Sequence, residues 1–368
     1  MKYYLIAGEA SGDLHGSKLV SQLLLQDHKA DIQAWGGDLM AAAGAKIKKH
    51  YRELAFMGFI EVIQNIRTIY KNFDYCKKDI LSFKPDALIL IDYPGFNLRI
   101  AKWAKSKGLR VFYYISPQLW AWKADRAYTI KNSVDQLYTI LPFENEFYKK
   151  YDVYPEYVGH PLLETIQQFQ PSQDIDLSLK HKKVLALLPG SRKQEITRML
   201  PVYLRALSSF PEYTGVIAAA PSQPISLYHE IIDQSNKPNV FIYQNQTYNI
   251  LHAASMAWVS SGTATLETAL FGVPQVVCYT GNAMSYQIAK RLVNVKYISL
   301  VNLILDQPLI PELIQDSFTM EALIKATNSL SEVQIRKEYQ RLHDLLLPDN
   351  ASWRVAHSII HRLNQIVL

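Results

Sequence analysis

The chain opens MKYYLIAGEASGDLHGSKLV, residues 1–20. A short apolar run, Tyr3 to Ala7, passes into the small and acidic residues Gly8-Glu9-Ala10-Ser11-Gly12-Asp13 and then into a helical pattern. Strand, loop and helix in that order are the start of a βαβ unit, and the loop after the strand is where such units bind ligands. The alternation continues outward from this stretch to about Leu300, which predicts parallel sheets. The strands expected in the first half are Tyr3 to Ala7, Ile32 to Trp35, Ala87 to Asp92, Arg110 to Ile115, Gln136 to Ile140 and Glu156 to Val158. Their near-continuous apolar character predicts burial on both faces. Between them, Ile100 to Lys107 reads as a helix closed by Gly108.

QQFQPSQDID, Gln167 to Asp176, is polar, contains proline and lacks periodicity, so it reads as a linker. A second series follows with Lys183 to Leu188, Gly215 to Ala219, Val240 to Tyr243, Met256 to Ser260 and Gln275 to Tyr279. The fold class is therefore α/β, with two doubly wound parallel-sheet domains at 1–166 and 177–345. From about Phe318 the pattern is helical. A C-terminal helix at 346–368 is expected to pack on the other lobe or on a second subunit, as in a homodimer.

Composition narrows the function classes. With 368 residues, 49% hydrophobic and 20% charged, the chain has the make-up of a folded globular protein of two domains. Cys76 and Cys278 are its two cysteines, which implies no disulfide framework and a reducing, cytoplasmic setting. Tyr3 to Ala7 is too short for a signal peptide, and no run reaches the roughly 20 apolar residues of a membrane span. Any membrane contact is then at the surface. The net charge of +6 suits acidic partners such as nucleotides, phosphates or anionic lipids. The basic residues are dispersed and no nucleic-acid motif is present, so no nucleic acid is expected.

Residues that follow strands directly are the candidates for chemistry. In PGSRKQEI, Gly190, Ser191, Arg192 and Glu195 follow one strand; in SSGTATLETALFGVP, Ser261, Gly262, Thr263, Ala264 and Glu267 follow another. The glycines admit close approach, each loop opens a helix whose N-terminus favours an anion, and Arg192 can pair with phosphate. Glu267, one turn on, can accept from ribose hydroxyls. Each loop alone reads as well as an ordinary helix cap; the two together point to a diphosphate nucleotide.

The opening loop carries the carboxylates Glu9 and Asp13, which would repel phosphate, so Gly8, Ser11, Gly12 and His15 are expected to face a sugar or polyol. Asp13 reads equally as a residue favouring a helix start, and His15 as a surface or core histidine. Asp92 ends an apolar strand before Pro94-Gly95 and should point into the inter-domain cleft as a general base, or else cap the turn. Asn97 closes that motif; Ser116 and Gln118 follow the next strand. LAFMGFIEVIQNIRTIYKNF, from Leu54 to Phe73, is either a buried core helix or a surface for acyl chains that includes Met57. No His, Cys or Asp cluster has metal-ligand spacing, and no cofactor is expected.

AGEASGDLHG, ELAFMGFIEV, LIDYPGFN, ISPQLWAWK, LPFENEFY, VGHPLLE, LLPGSRKQEI and SSGTATLETALFGVP occur in an order and spacing that resembles the lipid-A-disaccharide synthase family, from Tyr3 to about Leu303. The looser kinship is to GT-B glycosyltransferases, with two Rossmann-like lobes facing a cleft. The resemblance implies an inverting transferase that joins UDP-2,3-diacylglucosamine to 2,3-diacylglucosamine 1-phosphate, giving the β-1,6-linked disaccharide and UDP. It implies peripheral association with inner-membrane surface lipids. It places the family's proposed catalytic Asp on Asp92, with Glu9 and Asp13 as accompanying acids. Gly95 departs from relatives that carry a second Asp there. A UDP-sugar epimerase of the same fold would share the nucleotide loops without needing an acyl-binding surface. A non-catalytic nucleotide- or lipid-binding module would leave Asp92 and the opening acids unused.

Overall fold

The computed structural model describes residues 1–54, 66–172, 183–235, 240–281 and 296–365. They form two units, Met1–Glu164 with Leu346–Leu368, and Thr165–Leu345. The boundary falls inside the helix Pro161–Gln167.

The first unit holds a seven-stranded parallel sheet in the order β3(Lys46–His50), β2(Asp31–Gly36), β1(Lys2–Ala7), β4(Ala87–Ile91), β5(Val111–Tyr114), β6(Gln136–Thr139), β7(Glu156–Tyr157). Strand alternation sends Tyr3, Leu5 and Ala7 into one apolar cluster and Tyr4 and Ile6 into the other, so β1 is buried on both faces. The chain builds outward from β1 in one direction to β3 and then resumes at β4 on the opposite side. The sheet's switch point therefore lies between β1 and β4, flanked by the loops that begin at Gly8 and Asp92.

The second unit repeats the plan with six parallel strands in the order β10(Val240–Gln244), β9(Tyr213–Ala219), β8(Lys183–Leu188), β11(Ala254–Ser260), β12(Gln275–Tyr279), β13(Glu312–Ile314). Its switch point falls between β8 and β11, flanked by the loops at Gly190 and Ser261. Cys76 and Cys278 are free and buried, one in each unit.

The helix Ala351–Asn364 belongs to the first unit, because its apolar stripe of Val355, Ala356, Ile359 and Leu363 completes the cluster that holds Leu19, Val20 and Leu23 of the helix Ala10–Gln26. Polar ties fix its placement. The Ser352 hydroxyl donates to Glu164 at 2.9 Å, the Ser358 hydroxyl donates to Glu156 at 2.8 Å, and the His160 N–H donates to the Leu346 carbonyl at 3.0 Å. The stripe's apolar surface is thus used within the chain. Ile359→Ala is expected to destabilise the first unit by about 2–5 kcal/mol, the usual cost of truncating a buried aliphatic. Urea unfolding monitored by fluorescence checks it, and an unchanged midpoint would show that the helix adds nothing to that core.

Candidate active site

The edge of the first sheet is held together by one side-chain amide. Asn97 is fully buried, and its Nδ2 donates to the carbonyls of Asp92 (2.8 Å), Ile91 (3.2 Å) and Ile6 (3.4 Å). It therefore joins β1 to β4 at the switch point. The Asp92 carbonyl also accepts from the Tyr113 hydroxyl at 2.6 Å, and the Asp92 N–H donates to the Tyr114 carbonyl at 3.1 Å. These bonds hold consecutive left-handed residues, Asp92 at φ 45° and Tyr93 at φ 50°. Each costs on the order of 1–3 kcal/mol, and such strain persists only where the surroundings over-determine it. The Tyr93 ring lies where a Cβ on Gly8 would be, 2.4 Å from its Cδ1, so the loop after β1 needs glycine there.

Asn97, expected to touch substrate, spends its Nδ2 on the backbone, while its buried Oδ1 has no hydrogen-bond partner among the described residues. Asp13 is committed more fully. It is buried, and its carboxylate accepts from the N–H groups of Gly37 (2.7 Å), Leu39 (3.1 Å) and Met40 (3.1 Å), capping the helix Asp38–Ala42 from another element. Ser116 is also buried, with its hydroxyl 2.6 Å from that of Tyr148, while Gln118 beyond it is exposed. Gly12 packs against Ala7, Ser11 is exposed, and His15 is half-buried with an unpartnered Nδ1. Burial, with the Lys18 charge, pushes the His15 imidazole down to about 4, so it is neutral at pH 7. Met57 and most of the Leu54 to Phe73 segment lie outside the described residues.

Two carboxyl groups remain in the Gly8 and Asp92 loops. Glu9 is exposed. Burial pushes the Asp92 carboxyl up to about 6, the Glu9 charge adds to the rise, and the Tyr93 N–H opposes it. A carboxyl in that range is a competent proton acceptor near neutral pH. Sequence reasoning missed Glu144, which is buried and accepts from the Ile140 (3.1 Å) and Leu141 (2.9 Å) N–H groups. Burial pushes it up to about 7, against stabilisation of the charge by those N–H groups. Its only sequence signal is an acid at a helix start, which reads as an ordinary cap.

In the second unit, a cavity of about 430 Å³ lies at the switch point and is lined by all nine residues expected there: Gly190, Ser191, Arg192, Glu195, Ser261, Gly262, Thr263, Ala264 and Glu267. Gly190 sits at φ 103°, where a Cβ would come within 2.5 Å of Glu195 Oε2. Glu195 accepts from the N–H groups of Ser191 (3.2 Å) and Arg192 (3.3 Å), and the Ser191 carbonyl accepts from Ser222 and Gln223, both at 3.1 Å. The loop is thereby fixed, while the Arg192 side chain, at the start of the helix Lys193–Leu207, is three-quarters exposed and lies 3.5 Å from Glu195 Oε1. Gly262, at φ 121°, leaves open space before the helix Thr263–Leu270. Glu267 accepts from the Tyr248 hydroxyl at 2.8 Å, and burial raises its pKa. The arrangement offers a backbone cradle and one cation to an anion, with a carboxylate deeper in.

Asp13→Ala leaves three backbone donors without their acceptor, and each buried donor left unsatisfied costs about 1–3 kcal/mol. A lowered urea midpoint for the first unit is the expected outcome; unchanged stability would return Asp13 to the candidate acids.

The lipid-A-disaccharide synthetase family model matches residues 3–354. A lipid-A-disaccharide synthase of Syntrophus aciditrophicus (strain SB) is 38% identical over 365 residues, covering 96% of this chain and 95% of that protein. Among solved structures, the glycotransferase of kitacinnamycin superposes with a TM-score of 0.70 at 12% identity, covering 98% of both chains. UDP-GlcNAc 2-epimerase from Neisseria meningitidis bound to UDP-GlcNAc superposes with a TM-score of 0.64 at 11% identity, covering 99% of this chain and 100% of that one. At such identities the likeness shows a shared GT-B architecture, which transferases and epimerases both use.

Proposed function

The chain belongs to the lipid-A-disaccharide synthetase family, and from that premise we propose how its two sheet edges divide the work. It is a UDP-dependent glycosyltransferase of lipid A biosynthesis, and its relatives do not favour the epimerase alternative. In our reading the donor is UDP-2,3-diacylglucosamine, held by the second unit. Arg192 and the N–H groups at the start of the helix Thr263–Leu270 receive the diphosphate beside the Gly190 loop, and Glu267 receives the ribose hydroxyls. The acceptor, 2,3-diacylglucosamine 1-phosphate, meets Asp92 of the first unit.

The observation that carries this reading is Asp92, whose backbone is held at a switch point by buried hydrogen bonds and whose carboxyl is pushed up to about 6. Asp92 takes the proton of the acceptor 6-hydroxyl as that oxygen attacks the anomeric carbon from the face opposite UDP, so the configuration inverts. The C–O bond to UDP breaks with its electron pair. The charge that develops on the leaving diphosphate falls on Arg192 and backbone donors, so the scheme needs no metal ion.

Association with a membrane surface belongs to the same reading. Among the described residues no helix is long and apolar enough to cross a membrane. The helix Ile66–Phe83 exposes Tyr70, Tyr75 and Leu81, and aromatic side chains of this kind suit a headgroup boundary.

Asp92→Asn cannot accept a proton near neutral pH, so turnover is expected to fall roughly 10²–10⁴-fold with substrate affinity retained. In the parent enzyme the ionised form is the active base, so kcat/KM should rise with pH through about 6. Glu9→Gln removes a charge that raises the Asp92 pKa, and the acid limb should therefore move to lower pH. A limb that survives in Asp92→Asn would assign it to another group.

Arg192→Ala is expected to weaken UDP binding about tenfold to a hundredfold, from loss of a charge-assisted contact. Titration calorimetry with UDP reads this directly; unchanged affinity would remove Arg192 from the nucleotide site.

A further inference from the structure

β5 runs beside β4, with Tyr114 in register with Ile91, and the chain that leaves it begins one hydrogen bond away from Asp92. That segment is anchored twice in the core. Leu119 is buried, and the Trp120 ring meets Phe143 edge-on at 5.1 Å; further along, Ala127 and Ile130 are buried. Between the anchors Trp122 is 43% exposed. The Lys123 ammonium lies 4.6 Å from its ring centroid, and the Arg126 guanidinium lies 5.8 Å from the same centroid.

A tight turn closed by the Arg126 N–H on the Lys123 carbonyl at 3.1 Å brings the two cations to one indole, with Lys123 strained at φ 54°. Among the described residues, neither forms an ion pair with a carboxylate within 4.0 Å, although the neighbouring Lys131 is paired with Asp152 at 3.0 Å. Asp125, in the same turn, is exposed, which leaves the turn with net positive charge.

We propose that Trp122, Lys123 and Arg126 form a shelf that binds the phosphate of a phosphorylated acceptor sugar. This rests on the reading that the acceptor carries a 1-phosphate. A guanidinium fork and an ammonium, both pre-positioned over one ring, suit a phosphomonoester, and the indole face offers an apolar bed for the sugar. The shelf is on the correct sheet edge. The Arg126 charge also acts on the Tyr113 phenol, whose hydroxyl donates to the Asp92 carbonyl, so the shelf and Asp92 share Tyr113 as a neighbour.

The test measures glycosyl transfer in neutral detergent micelles to the 1-phosphate acceptor and to its dephosphorylated form, using the parent enzyme, Arg126→Ala and Lys123→Ala/Arg126→Ala. UDP affinity and thermal unfolding serve as fold controls. The parent should prefer the phosphorylated acceptor by about tenfold to a hundredfold in kcat/KM, and the double variant should lose that preference while treating the dephosphorylated acceptor as the parent does. Equal losses on both acceptors, or a preference retained by the variants, would overturn the shelf. So would a defect seen only on anionic vesicles and not in micelles, which would make it a lipid-surface contact. A parent enzyme that transfers to neither acceptor would instead overturn the acceptor assignment on which the shelf rests.

Discussion

One buried amide sets the geometry of the first unit's working edge. Asn97 sits on the helix after β4, yet its Nδ2 reaches back to the last residues of β4 and across to β1, so it measures the distance between the two strands on either side of the switch point. An isolated amide in that position would be costly, because a buried donor must find an acceptor. Here the acceptors are carbonyls near the ends of β1 and β4. The consequence passes outward to Asp92, whose left-handed backbone is fixed from both its N–H and its carbonyl. Tyr93 then turns onto Gly8, which brings the loop after β1 against the loop after β4.

The second unit solves the same problem with a carboxylate. Glu195 folds back under Gly190 and takes the N–H groups of the loop in front of it, while Ser222 and Gln223 hold the Ser191 carbonyl from the next loop along. A preformed loop loses little conformational freedom when a ligand arrives, so more of the contact energy remains as affinity. The Arg192 side chain, paired with Glu195 at 3.5 Å, is the exposed charge of this loop and the one our reading assigns to the diphosphate.

Much of this was legible in the sequence, for identifiable reasons. The central strands announce themselves because parallel strands buried on both faces must be apolar throughout, as Ala87–Ile91 and Lys183–Leu188 are. The strands that escaped sequence reading are the outer ones. Lys46–His50 is largely polar and Glu312–Ile314 is three residues long; at a sheet edge neither needs a continuous apolar run. The Gly190 and Gly262 loops were readable because glycine, a small hydroxyl and a helix start are local signals. Asn97 and Asp13 were misread because their partners come from Ile6 and from Gly37 to Met40, and no local pattern records contacts so distant in the chain. Tyr113 was missed on the same ground, whereas Glu144 was missed because its bonds to Ile140 and Leu141 are local and look like an ordinary cap.

The return of the chain to its first unit has a consequence for how the protein is made. The core around the helix Ala10–Gln26 lacks Val355, Ile359 and Leu363 until the second unit has been synthesised in full. At translation rates of about 5–20 residues per second, that wait is on the order of ten seconds or longer. Throughout it, the part of the earliest helix that the last helix covers is open to chaperones or to a neighbouring nascent chain, although the sheet side of that helix is already packed. The second unit has no such dependence, because its strands and helices come from one continuous segment. On the ribosome, then, the later-made half can close while the earlier-made half still waits for its last helix.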